Sequence, residues 1–144
     1  MRTLIIEAQG ASRRVLKQAL AELGSCDCVP EAGQGLRQFQ TAYAASQPYD
    51  LVCVDVSTQG WGGIDVLREM REHEQELGVG VGRQTRMLMT TDIEDVDHIV
   101  RHLRRGCHGY LIRPFTVREV QDSVQRILWP DTVQTTDSVA QPAR

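Results

Sequence analysis

No stretch of this chain approaches the roughly 18 consecutive apolar residues of a membrane helix. MRTLIIEAQ at the N-terminus has too short an apolar run for a secretory leader. A membrane destination is not expected, and the reading is cytoplasmic. A CxxC pair is lacking, since Cys26, Cys28, Cys53 and Cys107 are poorly spaced for metal or redox work. They read as small buried residues or free thiols in a reducing compartment. Basic charge is not in excess either: 16 Lys and Arg against 19 Asp and Glu leave a formal net charge of -3. The pI near 5.8 gives no push toward nucleic acid or anionic lipid. A nucleotide loop is missing too. The glycines of LGVGVGRQ, residues 77–84, precede an apolar run instead of opening a helix, and no GKS or GKT follows, so they read as a flexible loop.

What is present is one domain's worth of alternation. The 144 residues, 41% hydrophobic and 24% charged, are ordinary for a single globular unit. Short apolar runs at Leu4–Ile6, SCDCV, LVCVDV, MLMTT and GYLI read as five strands. Between and after them run helical stripes. The first is Val15, Leu16, Ala19, Leu20 and Leu23; the second is Leu36, Phe39, Gln40 and Tyr43; the third is Ile64, Leu67 and Met70. The fourth is Val96, Ile99, Val100 and Leu103, and the last is Val117, Val120, Val124, Ile127 and Leu128. This is (βα)5, the pattern of a doubly wound α/β sandwich: a parallel five-stranded sheet between two helical layers. Residues 1–129 are expected to form the domain, and the polar residues 130–144 a flexible tail or linker.

Open doubly wound sheets carry their chemistry at the carboxyl ends of the strands. Those ends read Glu7-Ala8, Asp55, Thr90-Thr91 and Arg113-Pro114. Two acids, a hydroxyl and a cation converge on one edge, with Arg113 near enough to balance Asp55. Singly each residue suits a solvated rim; the set in this order points to a site.

The segments LIIEAQGASRRVLKQAL, YDLVCVDVSTQGWGGIDVLREMR, MLMTTD and RRGCHGYLIRPF resemble the response-regulator receiver domain, the CheY-like phosphoacceptor module, over residues 3 to about 128. The resemblance implies a flavodoxin-like fold with strand order 2-1-3-4-5. It implies a signalling module, not an enzyme beyond its own phosphorylation and dephosphorylation. Asp55 would accept a phosphoryl group from a histidine kinase or phosphotransfer protein. Thr90, Arg113 and the backbone N–H groups of Val56, Ser57 and Thr91 would contact the phosphoryl oxygens. Thr90 and Tyr110 would form the switch, and Pro114 would follow a cis peptide bond. Glu7, Asp55 and the Ser57 carbonyl would hold Mg²⁺. A downstream protein, or a second copy, would dock on the fourth helix, fifth strand and fifth helix. No nucleic-acid or membrane partner is implied.

Two departures fall in the site itself. Receivers ordinarily end strand one with two adjacent acids and follow strand five with lysine; here the residues are Glu7-Ala8 and Arg113. Ala8 offers the metal no oxygen, which would weaken Mg²⁺ binding roughly five- to thirtyfold if the lost contact is worth about 1–2 kcal/mol. Arg113 keeps the charge as a planar fork. It could grip the phosphoryl group, or bridge Asp55 and Glu7 as a permanent cation in place of the metal. Two functions therefore stay open: a phosphorylated receiver, and a phosphorylation-independent pseudo-receiver acting as a constitutive binding or dimerisation module.

The remaining features are weaker. His98 and His102 lie four apart but off the apolar stripe, with no third ligand evident. RHLRRG, residues 101–106, suits a helix C-terminus or partner docking better than nucleic acid. Trp61 follows Asp55 in a loop, either exposed near the site or packing the loop. A flavodoxin-type FMN site is opposed by EAQGASRR, which lacks a run of hydroxyls. A haloacid-dehalogenase-type phosphatase is opposed by DVST, which follows the third strand, not the first.

Overall fold

Parallel strands buried on both faces need apolar residues at nearly every position, and LVCV and MLM supply them. In the computed structural model, which describes residues 1–56, 63–92 and 106–130, these runs are the central strands. The strands are β1 (Arg2–Ile6), β2 (Ser25–Val29), β3 (Leu51–Asp55), β4 (Arg86–Thr91) and β5 (Gly109–Ile112). They form one parallel sheet in the order β2-β1-β3-β4-β5, as expected.

Helices α1 (Gly10–Leu20), α2 (Ala32–Ala44), α3 (Gly63–Glu76) and the C-terminal helix (Val117–Leu128) cover the faces. Single 3-10 turns lie at Ala21–Leu23 and Val81–Arg83, the latter inside the glycine-rich segment read as a loop. Strand alternation sends Leu4, Ile6, Val52, Val54, Met87 and Met89 toward Phe39 of α2 and Val66 and Met70 of α3. Ile5, Leu51, Cys53, Leu88 and Leu111 turn the other way, onto Leu16 and Leu20 of α1 and Val120 and Val124 of the C-terminal helix. Each such side chain, once fully buried, contributes about 1.5–3 kcal/mol. The C-terminal helix starts at a capping box: Thr116 Oγ1 accepts the Glu119 N–H at 3.1 Å, and Glu119 Oε1 accepts the Thr116 N–H at 3.1 Å.

All four cysteines are free thiols, with Cys53 and Cys107 buried. Burial pushes the Cys107 thiol up to about 11 and Cys53 upward as well, so both are inert. Among the described residues, no helix is long and apolar enough to cross a membrane. Ser57, Trp61, the expected fourth helix with His98 and His102, and tail residues 131–144 lie outside the described residues.

Candidate functional site at the carboxyl edge of the sheet

The register brings the acids together. Ile6 stands opposite Val54, and Asp55 opposite Thr90, so Glu7, one residue past β1, falls beside Asp55. Thr91 stands opposite Ile112, and the next residue, Arg113, donates its N–H to the Thr91 carbonyl at 2.8 Å. The Arg113–Pro114 peptide bond is cis.

Arg113 dominates the edge, with its side chain only 5% exposed. Its Nη2 lies 2.8 Å from Asp55 Oδ1, 2.9 and 3.0 Å from the two Glu7 oxygens, and 3.2 Å from Thr90 Oγ1. Nη1 reaches Asp92 Oδ1 at 3.3 Å, and Nε donates to Ser12 Oγ at 3.1 Å. Thr90 Oγ1 in turn donates a hydrogen bond to Glu7 Oε1 at 3.1 Å. The Gln9 N–H donates to Glu7 Oε2 at 3.2 Å, and Arg13 donates to the Glu7 carbonyl at 3.0 Å.

A terminal guanidinium nitrogen carries two hydrogens, and this one faces four oxygens. The two carboxylates therefore compete for it. Burial, and then the hydrogen bond with Asp55, raise the Glu7 carboxyl above its usual range, with Arg113 opposing. For Arg113, burial acts downward but the hydrogen bonds to Asp55 and Glu7 outweigh it, so it remains a guanidinium.

A divalent ion does not fit this arrangement. Ala8 brings no side-chain oxygen, and both Glu7 oxygens are committed to Arg113, with Thr90 and Gln9 sharing them. Arg113 already supplies a positive charge to both Glu7 and Asp55. Among the described residues, no group of three or more His, Cys, Asp or Glu is placed to hold a metal ion.

The profile of the response regulator receiver domain matches residues 3–125. This chain belongs to the receiver-domain family. The receiver is 28% identical over 127 residues to the chemotaxis protein CheY of Pseudomonas aeruginosa, a match covering 88% of this chain and 95% of that protein. It is 31% identical over 129 residues to the transcriptional activator protein IrlR of Burkholderia pseudomallei, covering 89% of this chain and 50% of that one. The receiver thus spans nearly all of the chemotaxis relative but about half the length of the transcriptional regulators it matches. Among solved structures, Vibrio cholerae CheY4 superposes with a TM-score of 0.70 at 18% identity, over 88% of this chain and 98% of that one. The BeF3-activated DrrB receiver domain gives 0.69 at 15%, over 88% and 96%. These two likenesses concern the fold.

In the receiver, Glu7, Asp55, Thr90 and Arg113 meet as one cluster. Ala8 is exposed and Thr91 is buried beside the cluster. The Val56 N–H donates to the Thr90 carbonyl at 2.9 Å, continuing the β3–β4 ladder past Asp55. Tyr110 is half-buried opposite Met89 and packs on the α2–α3 side. Sequence reasoning missed Ser12, although a hydroxyl on the inward face of α1, four residues before Leu16, was a signal. Asp92, one residue past β4, also brings its carboxylate to Arg113.

Proposed function

We propose that this receiver accepts a phosphoryl group on Asp55 from the phosphohistidine of a histidine kinase or phosphotransfer protein. The single observation carrying this reading is the Asp55 carboxylate at the strand edge, 6% exposed, with Arg113 Nη2 on Oδ1 at 2.8 Å. A carboxylate oxygen would attack phosphorus, the bond from phosphorus to the imidazole nitrogen would break, and the imidazole would leave with the electron pair. The product is an aspartyl phosphate. Such transfer rests on positioning and charge neutralisation, for which Arg113 supplies the cation and Thr90 a hydroxyl donor. Phosphorylation adds about −1.5 to −2 charge at an edge where two acids already share one cation. Arg113 and Thr90 would turn toward the phosphoryl oxygens, and Tyr110 would follow. The response would be read by a downstream protein or a second copy on the face carrying β5 and the C-terminal helix, together with the expected fourth helix. The names of the relatives, a chemotaxis protein and transcriptional regulators, suit targets of either kind.

Intact-mass spectrometry after incubation with a small phosphodonor tests the reading, beside Asp55→Asn. One phosphate adduct on the wild type and none on the variant is the expected result. A folded protein that takes no adduct from small donors or from phosphorylated histidine kinases would overturn it. The same guanidinium contacts also favour a second reading, a phosphorylation-independent pseudo-receiver, because Arg113 by itself bridges Glu7 and Asp55. That module would bind its partner equally well with Asp55 or Asn at position 55.

A further inference from the structure

We propose that Arg113, clamped by Ser12, is an internal cation that excludes divalent metal from the acidic edge, so that the chemistry of Asp55 proceeds without Mg²⁺. The second half rests on Asp55 being the phosphoacceptor; the first half does not.

The side chain is held from three directions. Ser12 Oγ, on a residue only 8% exposed, accepts from Nε at 3.1 Å. Asp92 Oδ1 lies 3.3 Å from Nη1, though as a 55% exposed acid it steers more than it holds. With Nε and Nη1 so engaged, Nη2 is aimed between Glu7 and Asp55. A lysine could not do this, because its single nitrogen cannot meet Ser12 and the two acids through separate, rigidly spaced donors. Ser12 is thus a positioning residue for Arg113, contributed by α1 from 101 residues away. Ala8 and Arg113 act together: one offers no oxygen to a metal, and the other holds a fixed positive charge against both acids.

The first arm is calorimetric titration with Mg²⁺ or Mn²⁺ of the wild type and of Ala8→Asp/Arg113→Lys. The double variant is expected to bind at least about tenfold more tightly; a wild type that binds as well overturns the proposal. The second arm needs no refolded double variant. In ¹⁵N NMR, the Arg113 Nε–H should be protected from exchange near neutral pH and unmoved by excess Mg²⁺. Protection should be lost in Ser12→Ala and kept in Ser12→Thr. A resonance that shifts with Mg²⁺, or is indifferent to Ser12→Ala, overturns the clamp. The third arm is the rate of adduct formation with Mg²⁺ or with EDTA, expected to agree within about twofold, where each tenfold would be 1.4 kcal/mol. Loss of the adduct in EDTA overturns metal independence. Absence of an adduct in both conditions defeats the phosphoacceptor reading and with it the second half, while the titration and the resonance still decide the first.

Discussion

Among the described residues of this receiver two glutamates are fully buried, and they are treated differently. Glu74, on α3, accepts from the Tyr43 hydroxyl at 2.6 Å, Arg71 Nη1 at 2.5 Å and the Thr85 N–H at 2.8 Å. Arg71 spends its remaining donors on the Gly106 carbonyl, at 3.1 and 2.5 Å. Gly106 has a φ of 106°, and a Cβ there would lie 2.8 Å from Arg71 Nε, so glycine is needed twice over. One acid meets one cation, neutral donors complete the shell, and α3 is fastened to the segment entering β5. Glu7 has the same burial but shares its cation with Asp55. A carboxylate that only holds structure is balanced; the edge carries an acid in excess. Such an excess is tolerated where a site has work to do.

The largest expected effect separates the two clusters. Glu74→Ala leaves the largely covered Arg71 without its acid and the buried Thr85 N–H without its acceptor, a loss of about 3 kcal/mol. Arg113→Met should cost less, about 1–3 kcal/mol, because a proton can replace the guanidinium between Glu7 and Asp55. The Glu7 carboxyl in the folded protein titrates above its ordinary 4.5. Its stabilising contribution is therefore present below that value and is lost as pH rises through the folded one. Urea denaturation at several pH values should show Arg113→Met recovering on acidification from neutrality. If it loses as much as Glu74→Ala and recovers nothing, the edge is an ordinary structural pair.

A smaller effect of opposite sign sharpens the same contrast. Asp55→Asn removes one of two competing carboxylates and should stabilise the protein by about 1 kcal/mol, or roughly 2–4 °C in Tm. Thermal melts of wild type and variant read this directly. A destabilised Asp55→Asn would mean that Arg113 needs both acids.

How much of this was legible differs between the layers. The strands were readable because doubly buried parallel strands leave unbroken apolar runs, and SCDCV and GYLI match β2 and β5 residue for residue. The residues at the edge were readable because every parallel strand delivers its last residue to the same rim. The Glu74 cluster was not. Tyr43 is one turn along α2 from Phe39, and its apolar stripe accounts for it without hinting at a hydroxyl bonded to a distant acid. Glu74 itself sits in REHEQE, which reads as a solvated helix end. A long polar side chain turned inward leaves no periodic trace. Ser12 escaped for a related reason, since one small hydroxyl in a stripe of leucines and alanines costs the pattern nothing.

The smallest expected effect concerns His108, which borders the Glu74 cluster. Its Nδ1 accepts the Met87 N–H at 3.0 Å, and Nε2 lies 3.2 Å from Arg86 Nη1. Burial, followed by Arg71 and Arg86, lowers its pKa from 6.5 to about 4, with Glu74 opposing. Between those values the unfolded chain binds the proton and the folded protein does not, so stability falls as pH drops through the window. The sign is the reverse of Glu7, whose contribution grows on acidification. Because the residue as a whole is exposed even though its ring nitrogens are engaged, solvent screening should hold the effect below about 1 kcal/mol. The check is a pair of difference curves from pH 7 to pH 4, one for His108→Gln and one for Glu7→Gln, each against wild type. They should slope in opposite directions. Parallel slopes would mean that His108 and Glu7 belong to one titrating system, and that the balanced cluster and the charged edge are not separable.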